Sequence, residues 1–216
     1  MTDTGKNAGL RNLPEEIQRR KRIILGELKD RTLWFVRLRW WVPPSIAAGT
    51  AAAWLIGVEF AAAKVLGVAV LILAYNAVLY GQSRRLLARP AEQTGWLQRF
   101  TYWQVGLDYG AMFLLIHFTG GAASPLIFFF IFHIIFASIL LPSRSAYGFA
   151  VFAAAGMSLI AFAEYRGLIP HHALFFQNRA INLAEQPFYL SVELGFFTAS
   201  VLMSSGKTIV VLFITP

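Results

Sequence analysis

The chain has no cysteine among its 216 residues, which excludes disulfides, thiolate metal sites and thiol redox chemistry within it. Charge is scarce as well. Asp, Glu, Lys and Arg make up 14% of the sequence, against a hydrophobic share of 57% and a mean hydropathy of +0.57. A soluble domain carries more charge and less apolar surface. No internal repeat is visible, so a transporter built from two similar halves has no support. The first 40 residues are too polar for a cleavable signal peptide, which leaves the first apolar stretch as an uncleaved anchor.

What the chain has is six apolar stretches: Trp41–Val58, Val65–Gln82, Gln104–Thr119, Leu126–Leu141, Ala146–Tyr165 and Phe188–Ser205. Each approaches the roughly 20 residues that a helix needs to cross a bilayer. The expected fold class is therefore all-α, an integral membrane bundle of six transmembrane helices, with the lipid bilayer as its first partner. Ten of the 19 Lys and Arg precede Trp40, four more lie between Arg84 and Arg99, and one is Arg144. Lys64, Arg166 and Arg179 lie in the alternate loops. The positive-inside bias puts the N-terminus in the cytoplasm.

Three segments follow. Residues 1–39 form a basic cytoplasmic segment with an amphipathic helix, 40–205 the membrane domain, and 206–216 a short apolar tail with the texture of a truncation. In the first segment Asn12 suits an N-cap, Pro14 the first turn and Glu15 the capping-box position. Ile17, Ile24 and Leu28 share a broad face of that helix. Its basic cluster runs straight into a membrane span, which argues against nucleic acid as a partner. Trp34, Trp40 and Trp41 mark the interface.

Ionisable groups inside membrane spans are functional candidates by default. Here they are Asp108, His133 and Glu193, with His117 at the end of the third stretch. Nine residues separate Asp108 from His117, which is half a turn, so the two face opposite sides of one helix. Asp108 and His133 also fit a role as hydrogen-bonding groups between helices, and Glu193 could snorkel to the surface. His171-His172 is a weak metal signal without acidic or sulfur companions. Gly106 and Gly110 form a small-xxx-small pair that permits close helix approach.

The turn His117-Phe118-Thr119-Gly120-Gly121-Ala122-Ala123-Ser124-Pro125 is more specific. Two glycines open backbone angles closed to other residues and let a ligand approach the main chain. Pro125 starts the next helix. His117, Gly120, Gly121, Ser124, Pro125 and Phe129, with Phe128 and Phe132 beside them, are the expected ligand-binding residues. The competing reading is a tight interhelical turn and nothing more.

The same stretch, followed by a Phe-rich span, resembles the membrane sensor region of bacterial histidine kinases of the redox-responsive RegB/PrrB type. So does the opening Arg37-Leu38-Arg39-Trp40-Trp41. The resemblance covers about residues 33–203. It implies six spans in the bacterial inner membrane, a homodimer, and quinone association through a Gly-Gly-x-x-Asn-Pro-Phe motif. Gly120, Gly121 and Pro125 match that motif, whereas Ser124 replaces Asn and Leu126 replaces Phe.

No catalytic residue is expected in this chain. All four histidines lie in spans or the long outer loop, and no ATP-binding boxes are present. Gly206-Lys207-Thr208 mimics the end of a P-loop, but no strand precedes it and Val201 stands where its first glycine belongs. The expected function is a sensory input region of a two-component histidine kinase, responding to quinone redox state or another small apolar ligand. The alternatives are a small transporter or channel using Asp108, His133 and Glu193, and a non-catalytic membrane partner of full-length kinases.

Overall fold

The computed structural model describes residues 15–87, 94–176 and 179–181, together with Gly195, Phe197 and Thr198. Helix α1 (Glu15–Leu38) passes through a 3-10 turn, Arg39–Trp41, into α2 (Val42–Leu55). Pro43 and Pro44 occupy the first turn of α2, where a missing backbone donor costs little. Asn12 and Pro14, the expected cap and first-turn residues, lie outside the described residues. The C-terminal end of α1 is not a surface element. Thr32, Phe35 and Val36 are buried there. Trp34, Trp41 and Trp54 are exposed, as suits aromatic rings at a membrane boundary.

A short connection joins α2 to α3 (Ala62–Leu87), so the two form a tight hairpin. Helix α4 (Thr94–Phe118) follows. Both α3 and α4 outrun the apolar stretches expected for them, because their polar ends continue the helical hydrogen-bond ladder. After the glycine turn come two 3-10 segments, Gly121–Ala123 and Pro125–Phe129, then α5 (Phe130–Leu140) and α6 (Ser143–Tyr165). Among the described residues, two helices are long and apolar enough to cross a membrane, Ala62–Arg85 and Ser143–Tyr165, and Pro125–Leu140 is a shorter apolar helix.

The main core joins α4, α5 and α6 through Tyr109, Ile116, Phe130, Ile134 and Met157, all fully buried. Phe197 packs into it, with its ring 5.9 Å from that of Phe130. A second cluster sets Val65, Val68 and Ile72 of α3 against Ala111 and Leu115 of α4. Helix α6 buries Ala146, Ala150, Ala153, Met157 and Ala161, a stripe with helical spacing. Close approach occurs at Gly156, where an added Cβ would lie 2.4 Å from the Phe113 ring. It does not occur at Gly106 or Gly110, where an added Cβ would meet nothing within 4 Å.

The described residues are mostly helical, as expected, with one addition. Strands β1 (Val58–Glu59), β2 (Leu174–Phe176) and β3 (Arg179–Ile181) form a small antiparallel sheet. Val58 faces Phe176, Glu59 faces Phe175, and Leu174 faces Ile181. The physical reason is backbone satisfaction. The tight α2–α3 connection leaves unpaired main-chain groups, and the segment after α6 pairs with them. The expected sixth span, with Glu193, and the tail 206–216 lie outside the described residues except at the three positions above.

Candidate functional site

Two polar nodes interrupt the apolar interior. The first centres on Asp108 in α4. Arg39 Nη2 donates to Asp108 Oδ2 at 2.7 Å, and the Tyr75 hydroxyl donates to Oδ1 at 2.8 Å. Arg39 Nη1 donates to Asn76 Oδ1 at 3.3 Å. The Arg39 side chain is 7% exposed and that of Asp108 23%. A guanidinium stays protonated at any working pH, so this charge is permanent and needs its partner. The node ties the 3-10 turn after α1 to α3 and α4.

The second node lies under the glycine turn. Glu164, in the last turn of α6, has a side chain only 1% exposed. His117 Nδ1 donates to its Oε1 at 2.7 Å, and His171 Nδ1 donates to its Oε2 at 2.8 Å. An ionised carboxylate only accepts, so both histidines carry their proton on Nδ1. That leaves each Nε2 outside the hydrogen bond to the carboxylate. For His171 this nitrogen is buried and without a hydrogen-bond partner among the described residues.

Gly121 explains how the carboxylate fits. Its φ is +59°, and an added Cβ would lie 2.3 Å from Glu164 Oε2. Gly120 has φ +117°. Both angles favour glycine. The group that approaches the main chain here is therefore the protein's own Glu164.

His172 extends the node outward. Lys64 Nζ donates to His172 Nε2 at 3.0 Å, and the His172 ring stands edge-on to His117 at 5.1 Å. Burial, reinforced by the Lys64 ammonium, holds the His172 imidazole below the usual histidine range. Acceptance from an ammonium requires a lone pair on Nε2, which is consistent with a neutral ring.

The other expected site residues take different roles. Ser124 caps the next segment by accepting from the Leu126 backbone N–H at 3.2 Å, and its hydroxyl meets Thr119 Oγ1 at 2.6 Å. Pro125 is exposed at the start of its 3-10 segment. Phe128, Phe129 and Phe132 are exposed, and Phe129 packs on Phe132. His133 Nδ1 donates to the carbonyl of Phe129 on its own helix at 2.9 Å. His117, Gly120, Gly121 and Ser124 are thus gathered at the turn, while Phe129 faces the surface. Asp108 and His117 belong to separate nodes.

Sequence reasoning missed Glu164, Arg39, Tyr75 and Asn76. The buried stripe of α6 offered a signal for Glu164, which falls three residues after Ala161 and so continues that stripe. Among the described residues no group of His, Asp and Glu could hold a metal ion.

A family model described as the PilS-like transmembrane domain matches residues 53–208. Neither the curated proteins nor the solved structures gave a match.

Proposed function

The chain belongs to the PilS-like transmembrane domain family, a membrane domain of sensor-kinase type, and from that premise we propose that it is the sensory input region of a two-component histidine kinase, with its switch at the Glu164 node. The N-terminus and the Arg84–Arg99 region face the cytoplasm in this reading, and the glycine turn faces outward. The observation that carries it is the buried Glu164 carboxylate, shared by histidines from α4 and from the segment after α6. A stimulus that changes the charge or hydrogen bonding of this trio changes which packing of α4 against α6 is favoured. A stimulus can shift that equilibrium only by its differential interaction with the two packings.

A quinone is the ligand that the resemblance implies. The turn fits it poorly. The space at Gly121 is taken by Glu164, the Ser124 hydroxyl is engaged by Thr119 and Leu126, and Phe129 faces the surface. A transport path receives no support from Asp108, which is held by Arg39 and Tyr75, or from His133, which bonds its own helix.

The test joins the chain in frame to a histidine-kinase core and measures autophosphorylation in vesicles. Glu164→Gln is expected to reset kinase activity, while Gly106→Leu is expected to leave it unchanged. Equal activity for wild type and Glu164→Gln across outer pH and added quinone would sink the switch assignment.

A further inference from the structure

A cleft of about 680 Å³ opens between α3 and α4 at the basic end of the bundle and runs inward to the edge of the Asp108 node. On α3 it is lined by Tyr75, Val78, Gln82 and Arg85, a single helical face. On α4 it is lined by Arg99, Trp103 and Leu107, again one face. We propose that this cleft binds one anionic phospholipid, its phosphate between Arg85 and Arg99 and an acyl chain along Val78, Trp103 and Leu107.

Charge complementarity points to that occupant. Two guanidiniums line one cleft, and among the described residues no Asp or Glu lines it and neither arginine makes an ion pair. Gln82, one turn along α3 from Arg85, adds a donor for a headgroup oxygen. A basic pocket between membrane helices at the interface is suited to an anionic headgroup.

Length points the same way. Arg85 and Tyr75 are ten residues apart, about 15 Å along a helix. That is roughly half of the ~30 Å hydrocarbon core, the depth of one leaflet. Apolar and aromatic side chains fill this depth below the arginines. The cleft ends at Tyr75, whose hydroxyl holds Asp108. An acyl chain reaching Tyr75 would thus touch the Arg39–Asp108 node, and lipid occupancy would stiffen it.

The test is native mass spectrometry of the purified full chain, titrated with equal amounts of phosphatidylglycerol and phosphatidylcholine. The expected result is one retained phosphatidylglycerol in preference to phosphatidylcholine. Arg85→Gln with Arg99→Gln should cut that preference by roughly fivefold per arginine. Arg84→Gln with Arg144→Gln removes equal charge outside the cleft and should leave the preference intact. Leu107→Trp should abolish retention with both arginines in place, whereas a simple phosphate site would survive it. Equal retention of the two lipids overturns the proposal. So does an equal loss in the two double variants, which would mean diffuse attraction by the basic end. Absence of any retained lipid, with the cleft protected by a second copy of the chain, overturns it too.

Discussion

The two polar nodes share α3 and α4 but use charge differently. At the Asp108 node an arginine, whose guanidinium is always charged, faces a carboxylate. At the Glu164 node two histidines face one carboxylate, and their charge depends on protonation. One arrangement suits a fixed tie between helices. The other suits a device whose strength varies. The Asp108 node joins the end of the long first helix to the bundle, while the Glu164 node joins the glycine turn to the segment that builds the sheet.

The sharpest way to break this comparison is Asp108→Ala. It strands Arg39, 7% exposed, without its counter-charge. Removing one partner of a buried pair costs about 3–5 kcal/mol. Thermal unfolding in micelles should show that loss. An unchanged unfolding curve would mean that Arg39 does not depend on Asp108.

Next in size is Gly121→Ala. Its φ of +59° puts a side chain in the left-handed region, at about 1–2 kcal/mol. The new Cβ also collides with Glu164 Oε2 and displaces a carboxylate held by two histidines. Each charged hydrogen bond weakened adds about 1.5–3 kcal/mol at most. The expected total is about 2–4 kcal/mol, read from the same unfolding curves. Gly110→Ala, where an added Cβ has open space, should stay within about 0.5 kcal/mol. Similar losses for the two would remove Gly121 from the node.

Glu164→Gln keeps the shape and removes the charge. Its amide presents one acceptor and one donor group to two histidine N–H groups. One histidine must then move its proton to Nε2, and for His171 that nitrogen is buried without a partner. The expected loss is about 1–2 kcal/mol, read from the same unfolding curves. An unchanged unfolding midpoint would make Glu164 a packing group only.

Parts of this arrangement were legible in the sequence. The half-turn offset of Asp108 and His117 follows from helical periodicity, and the structure keeps them in separate nodes. The glycine turn was legible from its spacing, but its occupant was not. Glu164 lies at the end of an apolar helix next to Arg166, where a carboxylate resembles an ordinary interfacial charge. Arg39 was hidden among ten basic residues that serve topology, and only tertiary packing singles it out. The sheet was invisible because β1 and β2 pair across more than a hundred residues and each is three residues or shorter. No local pattern encodes such a contact.

The smallest effect belongs to His172, the outermost histidine of the Glu164 node. Burial and the Lys64 ammonium hold this imidazole below the ordinary histidine value of roughly 6.5. The unfolded chain then binds a proton more readily than the folded one between those two values. Stability from this group is therefore complete above the ordinary value and falls as pH drops below it. His172→Gln removes that acid-side loss. At pH 7.5 the variant should lie within about 0.5 kcal/mol of wild type, the scale of an exposed polar pair. At pH 5.5 it should gain relative to wild type, because the wild type alone must protonate a ring beside Lys64. Lys64→Met should give part of the same gain, since burial still opposes the proton. Glu164 and the other two histidines are present in both chains, so the difference between them isolates His172. A difference that stays constant across this pH range would show that His172 belongs to the fixed structure of the turn rather than to its titratable part.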